Sequence, residues 1–339
     1  MKKKDIGDRK KYIDIAKGFS ILSIIVGHMN VLFVDRFVYT YHVPIFFIIS
    51  GFFLKKKTGE IKKRSRRLLI PYIFTVLAIL IADELKNIIK IFMKKESTLS
   101  ILSSARHWLI AGVYGSGSKT HFLKWELPSI GAIWFLPAML WSCVLLYIII
   151  NKYSSIKLQS IIIIVCFIIA IFSAEWEWMP FSVQAGMAGL LFLYVGYLSY
   201  NHLKIDVSEN LKLLFLSSII WGIDLWCSYT NDCMSLVRCY FPNCIINVIG
   251  AVAATYVILV IAKLVEKTNY LAKFLEIFGK YSNVVLCFHL FELQIFPWNL
   301  VYEIGVVHTK LVIIILKILW AYIGIIMTRK IKFLQKVLM

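Results

Sequence analysis

Charge is scarce in this chain: Asp, Glu, Lys and Arg supply 17% of its 339 residues, against about 25% in a soluble domain. Long polar stretches are scarce too. The longest segment between apolar runs covers residues 94–130, 37 residues, which leaves no room for a separate soluble domain. No two of the seven cysteines form a C-x-x-C pair, which argues against a zinc site. Motifs of soluble catalysis are missing as well: no G-x-S-x-G, H-E-x-x-H or D-x-D occurs. GVYGSGSKT at 112–120 looks like a phosphate loop, but Ser118 separates Gly117 from Lys119 and breaks the required spacing. After the basic start MKKKDIGDRKKY no small-residue cleavage site follows, so the first apolar run reads as an uncleaved span.

What is abundant is apolar side chain, 60% of residues. Runs of about 20 apolar residues, enough to cross ~30 Å of hydrocarbon, recur along the chain. Ten spans are expected, near 13–34, 40–54, 68–90, 132–150, 158–174, 181–200, 211–228, 243–262, 281–298 and 310–328. The fold class is therefore all-α, a polytopic transmembrane bundle forming one domain over 1–339, with no internal repeat. Basic residues decide its orientation. Twenty-six lie on the side of the N-terminus and eight on the other, placing the tails 1–12 and 329–339 in the cytoplasm and the 94–130 loop outside. The net charge of +19 is thus spent in short segments beside helices, which speaks against nucleic acid as a partner. Trp108, Trp125, Trp176 and Trp178 suit an interfacial belt on the outer side. Cys227, Cys233, Cys239 and Cys244 bracket one outer loop, where either a disulfide or free thiols is admissible.

Against this background, ionisable groups inside apolar runs are the informative ones. In DIAKGFSILSIIVGH, Lys17 and His28 stand eleven residues apart, on one helix face and about 16 Å apart along its axis. A cation near the inner surface is thereby aligned with an imidazole in the outer half. His42 opens the second span in YHVPIFFIISGFF, where Pro44 suits a first helical turn and Ser50-Gly51 a close helix approach. Arg64, Arg66 and Arg67 precede the third span, and arginine forks match phosphate oxygens. Trp134 opens the fourth span. His289 sits in the ninth with Glu292 one turn on. Asp224, Asp83 and Glu84 are weaker candidates, nearer the outer interface.

Five stretches together resemble the acyltransferase 3 family of integral membrane O-acyltransferases, particularly its fucose 4-O-acetylase-like branch. They are D-x-x-K-G…G-H at Asp14–His28, H-x-P-x-F-F-x-x-S-G at His42–Gly51, R-x-x-R at Arg64–Arg67, W-F-L at Trp134–Leu136, and G-x-x-S…H at Gly279–His289. The family's first-span pattern is Arg or Lys, ten residues, then His, and Lys17 and His28 fill it. The resemblance implies transfer of an acetyl group from cytoplasmic acetyl-CoA to a sugar hydroxyl of a cell-surface or secreted glycan, at the plasma membrane. Lys17, Arg64 and Arg67 would hold the coenzyme's phosphates. His28 would be the general base, or carry the acyl group transiently; His42 and His289 would orient it or stabilise an oxyanion; Trp134 and Glu292 would contact the acceptor. No metal is expected, the acceptor is a glycan or lipid-linked sugar, and a homodimer is left open. The rival reading is a transporter or flippase for a lipid-linked glycan, which the lack of a repeat disfavours.

Overall fold

The computed structural model describes residues 10–29, 31–93, 99–203, 210–298 and 309–339, so most of the basic tail expected over 1–12 lies outside the described residues. Helices dominate: α1 (Lys11–Gly27), α2 (Leu32–Val38), α3 (Pro44–Phe52), α4 (Glu60–Phe92) and α5 (Leu99–Tyr114) come first. A small antiparallel hairpin, β1 (Thr120–Phe122) with β2 (Trp125–Leu127), pairs Thr120 with Leu127. Then follow α6 (Phe135–Lys152), α7 (Ile156–Trp176), α8 (Val183–Asn201), α9 (Leu211–Thr230) and α10 (Cys244–Val265). The chain closes with α11 (Tyr270–Lys280), α12 (Ser282–Ile295), α13 (Thr309–Lys330) and α14 (Lys332–Leu338).

Seven helices among the described residues are long and apolar enough to cross a membrane: α4, α6, α7, α8, α9, α10 and α13. The shorter α1, α3 and α12 occupy the remaining expected spans, so the protein is an all-α polytopic membrane bundle. Two boundaries differ from expectation for local reasons. The first apolar run is not one helix over 13–34 but breaks at His28. There the His28 ring nitrogen Nδ1 takes the Ile24 carbonyl at 2.7 Å, the acceptor its backbone amide would use in a continuing helix. The third span is longer than expected, reaching back to Glu60 through the basic segment. The 94–130 segment is also more ordered than a loop, since it carries α5 and the hairpin. Of the four expected belt tryptophans, Trp125 and Trp176 are exposed, whereas Trp108 and Trp178 are buried.

Packing centres on α1 and α3. Helix α1 lies along α11 and touches α10 and α12, while α3 is enclosed by α8 and α10. Small residues allow both close contacts. A Cβ added at Gly279 would stand 1.7 Å from the Asp14 carbonyl oxygen, and one at Gly18 1.9 Å from that of Leu275. The second pair, Gly51 and Gly196, brings α3 and α8 together equally closely. In lipid, where hydrophobicity does not drive helices together, such backbone approach is what joins them. α11 is amphipathic: Ala272, Leu275, Phe278 and Gly279 are buried, whereas Lys273 and Lys280 are exposed. α7 and α9 are apolar but mostly exposed, with Ile164, Ile168 and Phe172 facing outward, which is the composition of a lipid-facing surface.

Candidate active site

At the break after α1, the His28 ring meets that of His289 from α12, edge to face, with centroids 5.1 Å apart. Their facing nitrogens, Nδ1 of His28 and Nε2 of His289, are 3.4 Å apart. Hydrogen bonds assign the protons. Because the Ile24 oxygen only accepts, Nδ1 of His28 carries the hydrogen and Nε2 keeps its lone pair. On His289, Nδ1 donates to the Glu292 carboxylate at 2.8 Å, which leaves its Nε2 as acceptor toward His28. Glu292 is fully buried and also receives Lys317 Nζ of α13, at 2.8 Å on Oε1 and 3.1 Å on Oε2. The indole of Trp298 lies 4.7 Å from the same ammonium. Four side chains from three helices thus form one continuous polar line in the apolar interior.

A cavity of about 370 Å³ opens beside His28, within the ~300–1,000 Å³ range of small-molecule sites. His28, His42 and Trp134 line it, with Ser235, Asn283 and Gln294 as further polar walls. Its lining includes Ile21, seven residues or about 10 Å along α1 from His28. His42 repeats the arrangement of His28, donating Nδ1–H to the Val38 carbonyl at 2.8 Å. Two imidazoles are thereby placed in the cavity wall with their Nε2 lone pairs uncommitted to these backbone bonds.

The structure brings together His28, His42 and Trp134 in the wall, and His289 and Glu292 behind it. It does not bring Glu292 to the cavity; the residue expected to touch substrate instead bonds Lys317 and His289. Lys17, Arg64 and Arg67 lie toward the basic end and do not line the cavity. Arg64 is engaged internally: Nε bonds Glu60 at 2.7 Å and Nη1 bonds the Ser50 hydroxyl at 2.9 Å, bracing α4 against α3. Lys17 is half-buried and Arg67 exposed. Asp83 accepts from Ser104 and Trp108 of α5, and Asp224 accepts from Asn247 of α10, so both join helices away from the cavity. All seven cysteines are free thiols; burial beside Asp232 pushes the Cys233 thiol up from its ordinary value. Among the described residues, no group of three or more His, Cys, Asp or Glu is placed to hold a metal.

The sequence profile of an acyltransferase domain matches residues 10–329, nearly the whole chain. The chain belongs to the acyltransferase 3 family. No curated protein and no solved structure gives a significant match. This membrane acyltransferase carries an imidazole, that of His28, in the wall of its cavity. Three features of this acyltransferase escaped the sequence. Lys317 stood unremarked in LVIIILKILW, although a lone cation inside an apolar run is itself a signal. The loop at 112–120 walls the cavity: Gly117 lines it and lies so close to the Trp134 indole that a Cβ would fall 2.2 Å from Cδ1. The Met234–Val237 segment lines the cavity too, with Val237 packed against Gly117, and no local pattern announced it.

Proposed function

We propose that this acyltransferase moves an acetyl group from acetyl-CoA to a sugar hydroxyl of a cell-surface or secreted glycan, in the manner of the fucose 4-O-acetylase-like branch. The observation that carries the reading is the His28 ring: its Nδ1–H is fixed on the Ile24 carbonyl, so Nε2 is the basic nitrogen in the cavity wall. Nε2 takes the proton of the acceptor hydroxyl as its oxygen bonds to the thioester carbonyl carbon. The C–S bond then breaks, and the departing thiolate takes that proton from Nε2, leaving acetyl ester and free thiol. General base assistance of this kind contributes ~10²–10⁴-fold. Asn283 and Gln294 carry amide donors suited to the carbonyl oxygen as it gains charge. His42, with an accepting Nε2, suits a second acceptor hydroxyl rather than an oxyanion.

The acceptor reading is supported by the wall chemistry: neutral hydroxyl and amide groups beside the indole of Trp134 match an uncharged sugar ring. The donor reading is supported by the charge distribution, since Lys17, Arg64 and Arg67 belong to the side that holds twenty-six basic residues. Coenzyme A carries its phosphates at one end and its thioester at the other. Phosphates at that cytoplasmic rim would leave the slender pantetheine to reach up α1 past Ile21. Both termini and the rim then lie in the cytoplasm of a plasma-membrane protein. The test is to supply membranes holding the protein with acetyl-labelled acetyl-CoA and analyse the glycan fraction. Label in ester linkage that depends on the protein supports the reading. Glycan moved across the membrane without label overturns it in favour of a transporter.

A further inference from the structure

Lys317 has no place in the chemistry above, yet it is a cation buried to 3% exposure in an apolar helix. An unpaired charge at such depth costs several kcal/mol, and a plain hydrophobic residue would pack α13 onto α12 at less cost. Among the described residues its carboxylate partner is Glu292, and the pair is not an isolated pin. Glu292 Oε1 is shared between the Lys317 ammonium and the Nδ1–H of His289. His289 in turn points its accepting Nε2 at the Nδ1–H of His28.

We propose that Lys317 is a positioning residue: through Glu292 it keeps the carboxylate ionised, and so holds His289 in the tautomer whose accepting Nε2 faces the His28 ring and stabilises the charge that ring gains when it takes the acceptor's proton. This rests on the acyltransferase reading of that cavity. The charge balance favours it. At rest, Lys317 and Glu292 cancel and both imidazoles are neutral. When His28 takes the acceptor's proton, the new positive charge faces His289, whose far nitrogen is already on a carboxylate. The Nδ1 protons never leave this line, and the transferred proton departs by Nε2. Among the described residues, the ionisable groups around Glu292 are His289 on its own helix, His28 on α1, Lys317 on α13 and, further along the cavity wall, His42. Without Lys317, an ionised Glu292 would be isolated in the interior and would take a proton instead. A protonated carboxyl gains an O–H that can donate to His289 Nδ1, which moves the ring proton to Nε2 and removes the acceptor facing His28.

The experiment compares Lys317→Met, Lys317→Arg, Glu292→Gln and the double variant Glu292→Gln/Lys317→Met in the full-length protein. Transfer kinetics and infrared spectra are recorded for each. Lys317→Met should lower kcat on the order of 10²-fold while leaving the donor KM within about threefold. It should also gain a protonated-carboxyl stretch that the double variant lacks. Lys317→Arg should recover most of the rate. The double variant carries no unpaired charge and should insert normally, yet turn over no faster than Glu292→Gln. A double variant with wild-type kcat would overturn the proposal, because the pair would then be only a helix pin. Wild-type kcat in Lys317→Met would do so too. If wild-type membranes transfer no acyl group, the enzyme reading itself fails. The infrared band then still decides whether Lys317 governs Glu292, and its absence overturns that link separately.

Discussion

Replacing Gly279 by Ala should slow the enzyme without touching its cavity. The added Cβ would fall 1.7 Å from the Asp14 carbonyl oxygen, where an ordinary contact needs about 3.4 Å. Both groups belong to helix backbones, so no side chain can swing aside; α11 and α1 must part by roughly 1.7 Å. Overpacking of this sort costs ~1–3 kcal/mol. The functional consequence is larger, because α1 carries His28 and α11 runs directly into α12, which carries His289. Their 3.4 Å contact would open by a similar amount, and a misplacement of ~1 Å can cost about 10²-fold in rate. Transfer rate and thermal unfolding in detergent, measured together, check both numbers. Gly222 on α9 supplies the control, since nothing lies within 4 Å of a Cβ there. Its replacement by Ala should leave the rate unchanged and raise stability by about 0.5–1 kcal/mol. A Gly279→Ala protein with wild-type rate and melting temperature would refute the claim that this backbone contact sets the histidine geometry.

Further outcomes follow from single residues. His28→Ala should lose ~10²–10⁴-fold in transfer rate while costing only the ~0.5–1.5 kcal/mol of one neutral hydrogen bond in stability; a rate within tenfold of wild type would remove it as the base. Trp134→Ala should raise the acceptor KM about tenfold, the ~1–2 kcal/mol of one aromatic wall, with the donor KM unchanged in steady-state assays. Arg64→Ala should lower the melting temperature, because its bond to Ser50 joins α4 to α3 while Glu60, one turn earlier on α4, holds its side chain in place. Arg67→Ala, at an exposed site, should instead raise the donor KM, and the reverse pattern would exchange their roles. Cys244, exposed and free, should react from outside intact cells with a membrane-impermeant maleimide and no reductant; protection there would invert the orientation read from the charges.

The bundle was legible because hydrocarbon thickness imposes a length on every crossing, and apolar runs of that length are visible without any structure. The histidines were legible for the same reason, since an imidazole among isoleucines is conspicuous. What escaped was relational. Glu292 reads in sequence as a neighbour of His289 one turn on, and only the fold shows Lys317 closing on it from a helix 25 residues away. Nor does sequence reveal that the histidine ring ends its own helix, because Gly27-His28 carries no proline and a weak stop signal. Arg64 shows the converse case. Its side-chain chemistry suited phosphate, but Glu60 one turn earlier already takes its Nε, a pairing the i,i+4 spacing could have announced. Part of the cavity wall comes from Gly117 and from residues 234–237, where contact is set by long-range packing alone.

The backbone contact between α3 and α8 at Gly51 and Gly196 bears on how cargo would traverse the bilayer. Helices locked at that separation cannot slide or rock without first losing their grip, whereas an alternating-access carrier depends on halves that swing apart. A stiff waist of this kind suits an acyltransferase better than a carrier. Cross-linking α3 to α8 should then stop a flippase but leave turnover intact here.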